Sequence, residues 1–419
     1  MSSVRGKQDR KSMIQQRTTG RVAQRITQIR GSNRALVLEM LRFHPQLSRA
    51  ELARRSGLSE GAISRIAAEL LDERFILEQG AEHSTGGRPA TRLELDESYH
   101  RSIGVDIRRW ETRVSLGTIR GTVLETRQFR TPSSASRTIA AISDAINALK
   151  PAAEGCRIHG VGVGVRGIVD HERGVLEVGT SKAWNQVAIK APIEERTELP
   201  VFVENDVRAA ALAHRYSSNV EIRNSRCMLL IRVDDGVGMA ILIDGKIYRG
   251  IHRSAGEIGQ MVVADSPGRG AQDRPGCLES LAAHTAIFNR YCLLANELPA
   301  KKQATEGRIR KICRLAQAGD PAAIQAIRDS MRHLGIGLAN VIWSFNADVV
   351  VIDGVITEAW PHVIESIREQ FPIGEEFRHF HNLVVRPCAL GPDAGGAGTL
   401  SLPFESLFEI GEFSATPYR

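Results

Sequence analysis

Three polar residues in a row, Glu204-Asn205-Asp206, close the apolar run Val201-Phe202-Val203, and an alanine-rich segment follows in VFVENDVRAAALAHR. Two carboxylates and an amide crowded at the end of a strand suit the grip of a polyhydroxylated molecule, whose hydroxyls need many directional donors and acceptors. A carboxylate within hydrogen-bond reach of a hydroxyl can also orient it and accept its proton. The plainer reading makes Asp206 an N-cap for the helix that the alanines announce. Whether the chain transforms a sugar-like molecule or senses one depends on what surrounds this stretch.

The elements that must position these residues begin near residue 100. Strand-like runs (RSIGVDI, TRVSLGTI, IHGVGVGV) alternate with helical stretches such as TIAAISDAINALK. A glycine-rich strand pair follows in MLLIRVDDGVGMAILIDGKIY, and the helix SMRHLGIGLANVIWSFNA feeds the apolar strand DVVVIDG. This order predicts an α/β architecture with two halves around a cleft. At 419 residues the chain is long enough for two or three domains with real cores. No run of eighteen apolar residues occurs, and the N-terminus is basic without a signal-peptide apolar segment, which predicts a soluble, cytoplasmic protein with no membrane partner. Cys156, Cys227, Cys277, Cys292, Cys313 and Cys388 lack paired spacing and are expected as reduced thiols.

The charge is unevenly spread. Residues 1–30 hold eight Lys/Arg against one acid, Asp9, a net +7 that equals the whole formal excess of the chain. With few apolar residues, this arm is expected to be flexible and to be drawn to phosphates if a DNA-binding module follows.

One does follow. Ala35, Leu36, Leu38 and Leu41 recur at helical spacing; SRAELARRSGL carries an N-cap, Ser48, with Glu51 placed for a capping box and Gly57 as a stop. SEGAISRIAAELLDE opens on a second cap, Ser59, and is expected to bury Ile63, Ile66, Leu70 and Leu71. Helix, glycine turn and helix form a helix-turn-helix, with Ser59, Glu60, Gly61, Ser64 and Arg65 on the face available to a major groove. Two strands, Phe75–Glu78 and Thr91–Leu95, then predict a wing whose tip, Gly86-Gly87-Arg88-Pro89, suits a phosphate or a minor groove through Gly87 and Arg88. Double-stranded DNA is the expected partner. The boundaries are 1–30 for the arm, 31–98 for the winged helix-turn-helix and 99–419 for the α/β effector domain.

Taken in order, GGRPATRLELD, GVGVGVRGIVD, VFVENDVRAAALA, DGKIYRGIHRSAGEIGQMVV, GCLESLAA, GLANVIWSFNADVVVIDG and GPDAGGAG resemble the ROK family (repressors, open reading frames, kinases) over about residues 33–400. The resemblance implies an actin/hexokinase-like effector domain of two α/β lobes. It implies that Asn205 and Asp206 hold a sugar and that in the kinases the Asp is the general base. It adds Glu257 and Gln260 from GEIGQ, where the family has Gly-Glu-Ile-Gly-His, and Glu279 from GCLES. Each acid alone also fits a solvated charge.

Departures from the family pattern favour sensing. Where its kinases place an Asp-x-Gly-x-Thr-type loop for ATP phosphates, this chain reads VDIRRWETR: Asp106 survives, but Arg108 stands at the glycine, followed by Arg109 and Trp110. The second phosphate loop, DDGVGMA, keeps Gly236 and Gly238 yet sets Asp234 and Asp235 beside them, and Asp353 stands where the family usually has glycine. Phosphoryl transfer depends on positioning and charge compensation, so kinase activity is not expected. The family's structural zinc motif maps onto Gly270, Gln272, Cys277 and Gln260, leaving one of four ligands; no metal and no cofactor are expected.

The expected protein is a DNA-binding transcriptional regulator, a repressor of carbohydrate-metabolism genes, that binds a sugar or sugar derivative and works as a homodimer or homotetramer. The alternatives are a regulator whose degenerate pocket is unliganded or switched by a protein partner, and an ATP-dependent sugar kinase.

Overall fold

A computed structural model of the chain describes residues 30–80, 91–215, 219–265, 275–297, 305–372, 374, 377–390 and 394–408. The arm up to residue 29 and the wing tip with Gly87 and Arg88 lie outside the described residues, as do Gly270 and Gln272.

The chain is helical over residues 30–43 (α1), then forms β1 (Leu47–Ser48), α2 (Arg49–Ser56), α3 (Glu60–Asp72), β2 (Ile76–Gln79) and β3 (Arg92–Leu95). Both caps foreseen in the sequence are made. Ser48 Oγ accepts from the Glu51 amide while Glu51 Oε2 accepts from the Ser48 amide at 2.8 Å, and Ser59 Oγ accepts from the Ala62 amide at 3.3 Å. Gly57 ends α2 in the left-handed region, φ 71°. Ile63, Ile66 and Leu70 are buried; Leu71 is only half-buried, one position off the core stripe. Strand β1, not foreseen from the sequence, pairs its two residues antiparallel with β3 to make a three-stranded sheet of order β1-β3-β2.

Two five-stranded sheets follow, and they share one topology. The first comprises β4 (His100–Ile107), β5 (Glu111–Thr118), β6 (Val123–Arg130), then after α4 (Ala135–Leu149) β7 (Arg157–Val165). A small antiparallel sheet of β8 (Ile168–Asp170), β9 (Val175–Val178) and β10 (Val187–Ala188) and helix α5 (Lys190–Thr197) lead to β11 (Val201–Asn205), giving the order β11-β7-β4-β5-β6. Helices α6 (Asp206–Arg215) and α7 (Val220–Arg223) lead to the second sheet. It is built from β12 (Cys227–Val233), β13 (Val237–Ile243), β14 (Lys246–Ile247), β15 (Val349–Asp353) and β16 (Val384–Pro387) in the order β14-β13-β12-β15-β16. Each is an antiparallel meander of its first three strands with the last two added parallel beside the first. Between β14 and β15 come α8 (Leu278–Ala282), α9 (His284–Leu294), α10 (Glu306–Gln317) and α11 (Pro321–Phe345); α12 (Trp360–Arg368) and α13 (Arg378–His381) precede β16, and α14 (Ala394–Ser401) follows it.

Helix α6 joins the halves. It leaves the last strand of the first sheet and buries Val207, Ala209, Ala210, Ala211 and Leu212 against Met228, Leu230, Ala240, Leu242, Val349 and Val351 of the second. Alanine along this face lets α14 approach as well: a Cβ on Gly398 would run into the Ala209 carbonyl. The start of α6, Asp206, is therefore held where the lobes meet.

The winged helix is not a separate bead. Its core includes Ile119 from the first lobe and Phe404 and Phe408 from the segment after α14, all buried with Leu38, Leu41, Leu52 and Leu70. Phe75 stacks on His100 with ring centroids 3.8 Å apart, and His100 Nδ1 lies 2.7 Å from His159 Nε2. On the other side the Arg223 guanidinium sits 5.0 Å from the Phe43 ring centroid, so α1 also touches the second lobe.

Candidate functional site

The Glu204-Asn205-Asp206 stretch divides three ways in the structure. Asn205, not Asp206, caps α6: its Oδ1 accepts from the amides of Val207 (3.0 Å) and Arg208 (3.1 Å), and its Nδ2 donates to the Gly167 carbonyl at 3.0 Å. With both ends of the amide occupied, Asn205 braces the loop and has little left for a ligand. Glu204 is buried, accepting from the Asn205 amide and from Arg249 Nε at 2.8 Å, with Arg208 Nη1 at 3.5 Å. Arg208 in turn donates to the carbonyls of Arg253 (2.7 Å) and Ala255 (3.0 Å). This buried network ties β11 to the loop that carries Glu257. Only Asp206 faces the cleft.

Asp206 is met there by a residue that sequence reasoning passed over. Arg232, near the end of β12, donates through Nη1 to Asp206 Oδ2 at 3.1 Å and through Nε to Asp353 Oδ2 at 2.8 Å. Arg232 and Asp353 are register partners on adjacent parallel strands, and the arginine's companions include Asp106 as a further attracting charge. The Arg232 guanidinium and the amide of Gly354 hold the Asp353 carboxyl below its ordinary range against the opposing effect of burial. Asp106 itself accepts from Arg108 Nε at 2.7 Å. The cleft between these groups, about 150 Å³, is lined by Arg108, Asp206, Arg232, Asp234, His284 and Asp353 among others. A signal for Arg232 was present in the sequence: two unusual charges, Arg232 and Asp353, each stand in an otherwise apolar strand.

Of the remaining expected ligand residues, Glu257 comes close enough to Asp206 and to Glu279 to feel their charges. Burial raises the Glu257 carboxyl above its ordinary range, Arg208 opposes this, and Glu279 and Asp206 add to it. Glu279 Oε2 accepts from the Val237 amide at 3.3 Å, with Arg166 Nη2 3.9 Å away. Gln260 closes the 3₁₀ turn Ile258–Gln260, and its Oε1 is buried without a hydrogen-bond partner. The structure thus brings Glu257 within electrostatic reach of Asp206 and Glu279, sets Gln260 in the turn that follows Glu257, and engages both ends of the Asn205 amide elsewhere. Cys277 is buried and forms an isolated bridge with Val262.

On α3, Ser59, Glu60, Gly61, Ser64 and Arg65 are all exposed, opposite the buried Ile63, Ile66 and Leu70. That is the surface a recognition helix presents to a groove.

A two-lobed α/β chain with duplicated sheet topology, a cleft at the lobe junction and a winged helix docked on both lobes defines the class. The ROK family model matches residues 102–404, and the chain belongs to that family. It is 25% identical to the xylose repressor of Bacillus spizizenii over 389 residues, 92% of this chain and 98% of the relative. It is 29% identical to the DNA-binding transcriptional dual regulator NagC of Escherichia coli over 334 residues, 78% of this chain and 81% of NagC. Among solved structures, a ROK family transcriptional regulator homologous to the E. coli MLC protein superposes with TM-score 0.74 at 26% identity, covering 91% of this chain and 97% of its own. A ROK family glucokinase from Streptomyces griseus, in complex with glucose and AMPPNP, superposes with TM-score 0.61 at 26% identity, covering 72% of this chain and 98% of its own. The kinase leaves about a quarter of the chain uncovered, whereas the regulator spans nearly all of it. Among the described residues no helix is long and apolar enough to cross a membrane.

Proposed function

We propose that this chain is a DNA-binding transcriptional regulator, a repressor of carbohydrate-metabolism genes, whose effector domain senses a sugar or sugar derivative and transfers no phosphate. In this reading residues 1–30 are a basic arm, 31–98 the DNA-binding head and 99–419 the sensor. Of the supporting relatives one is named a xylose repressor and the other a DNA-binding transcriptional dual regulator, and the glucokinase neighbour shares the effector fold.

The observation that carries the sensing half is Arg232. A general base must have its carboxylate free to accept a proton near the attacking hydroxyl. Here Asp206 is already paired with a cation that Asp353 anchors from behind. A sugar hydroxyl can still hydrogen-bond to the remaining oxygen, Oδ1, which is buried without a partner. Asp206, Glu257, Gln260 and Glu279 are the ligand residues of this reading, with Asn205 supporting the loop rather than the sugar.

The mechanism follows from the docking of the head on both lobes. Ligand closes the cleft, as hinge motions of two-lobed folds do, and shifts the contacts of Phe43 with Arg223 relative to those of Phe75 with His100. In a homodimer or homotetramer this changes the spacing of the two α3 helices, which must match half-sites a whole number of turns apart. The ligand acts only through its unequal affinity for the two states. The test is a titration of the purified protein against a panel of sugars with operator binding as the readout. A sugar that releases the operator supports the reading; a protein that binds its operator but responds to no sugar supports instead a head switched by a protein partner.

A further inference from the structure

The turn between β12 and β13 sets two carboxylates side by side, Asp234 and Asp235, and packs against the first residue of α9, His284, whose amide donates to the Asp234 carbonyl at 2.9 Å. His284 is 1% exposed, and its Nε2 makes no hydrogen bond. Nδ1 stands 3.1 Å from Asp234 Oδ1, and one donor atom from each of Asp234, Asp235 and His284 falls within 4.8 Å of the others. His284, Asp234 and Asp206 all line the cleft.

A buried imidazole paired with one of two neighbouring carboxylates is the donor set of a divalent cation. We propose that Asp234, Asp235 and His284 form a binding site for a divalent first-row transition cation of the Mn²⁺ or Zn²⁺ class. The imidazole argues against Mg²⁺ and Ca²⁺, which prefer all-oxygen shells, and the two carboxylates argue against a soft cation. Three protein donors leave coordination positions open toward the cleft for water or for ligand hydroxyls. The charges favour occupancy. Asp234 and Asp235 supply two negative charges; Arg109, 3.5 Å from Asp235, is 56% exposed on its side chain and rests over the Trp110 ring, while Arg232 and Arg166, which also attract Asp234, already face acids of their own, Asp206 with Asp353 and Glu279. Two carboxylates at this turn repel phosphate, as the sequence suggests; a cation held on the protein's own carboxylates turns that repulsion into a reason for the residues to be there.

The site is distinct from the Cys277 region, and the experiment separates them. The full-length protein is titrated with Mn²⁺ alone and free Mn²⁺ is followed by electron paramagnetic resonance, with the melting temperature as a parallel readout. One equivalent of Mn²⁺ bound per chain is expected, with a raised melting temperature. Asp234→Asn and Asp235→Asn, both at solvent-accessible positions, should each weaken binding tenfold or more while circular dichroism stays unchanged, and His284→Gln should abolish it. Cys277→Ser should leave binding intact. No uptake at millimolar Mn²⁺, uptake undiminished in the Asp234→Asn/Asp235→Asn double variant, or loss of uptake in Cys277→Ser would each overturn the proposal.

Discussion

Arg232 and Asp353 face each other across neighbouring parallel strands, 2.8 Å apart, and the same guanidinium reaches forward to Asp206. Two largely buried acids share one buried cation, so the arrangement is coherent only while all three are present. Removing one partner of such a group leaves an uncompensated buried charge, at a cost of about 3–5 kcal/mol. Arg232→Ala should therefore lower the melting temperature sharply. Adding Asp353→Gly to it should recover part of the loss, and a double-mutant cycle in thermal melts measures the coupling. Additive effects would show the pair to be incidental.

For the sensing role, Asp206→Asn keeps the size of the side chain and removes its charge. A hydrogen bond from a hydroxyl to a charged group contributes roughly 1.5–3 kcal/mol, so ligand affinity should fall about tenfold or more. Operator affinity without ligand should not change. Calorimetry with the inducing sugar and a gel-shift assay check the two halves; a variant that responds like the wild type would move the pocket elsewhere.

On the DNA side, Arg65→Ala should erase the preference for operator over random DNA with the fold intact. Deleting the proposed basic arm, residues 1–30, should weaken binding to every sequence and flatten its salt dependence, because basic side chains drawn to phosphates act without regard to sequence. Fluorescence anisotropy at several salt concentrations distinguishes the two effects. An unchanged salt slope would make the arm a bystander.

For nucleotide, ATP with Mg²⁺ should give no melting shift beyond that of Mg²⁺ alone, and a coupled assay with sugar should show no ATP consumption. Steady turnover would restore the kinase reading despite Arg108 and Arg232.

Much of the DNA-binding head was legible because its signals are local: Ser48, Glu51, Gly57 and Ser59 act on amides within three or four residues. The alternation of strands and helices likewise announced the lobes. The cleft was less legible. Arg232 and Asp353 are 121 residues apart in the chain and read singly as misplaced charges; only the parallel register of β12 and β15 joins them. In Asn205-Asp206 two cap-forming residues stand side by side, and which one caps is decided by where β11 releases the chain into α6. Strand β1 was missed because two residues show no period. Phe404 and Phe408 were missed because nothing in a sequence says that an apolar pair belongs to a core more than three hundred residues away.

Acid should loosen the joint between head and sensor. At that joint burial, together with His100 and Arg157, pushes His159 down to about 4 and burial lowers His100; away from it, on α6 beside Cys388, burial takes His214 down to about 4. These histidines stay neutral when folded, while the unfolded chain takes up protons near pH 6.5. Between roughly pH 6.5 and 4 the unfolded state holds more protons, so stability is full above that window and declines as pH falls through it. Melting temperatures at pH 7 and 5 test this, and His159→Phe should make the curve shallower. A flat profile in the wild type would contradict it.

The segment from α14 onward changes what can be built from this protein. Residues 394–408 begin beside Asp106, where a Cβ on Gly395 would press on its carboxylate, and finish with Phe404 and Phe408 inside the winged helix. The DNA-reading head is therefore not an exchangeable cassette. A chimera made by splicing residues 30–98 onto a foreign sensor would leave an open hole where two phenylalanines belong. A graft that works must carry residues 402–408 along as a second, non-contiguous piece.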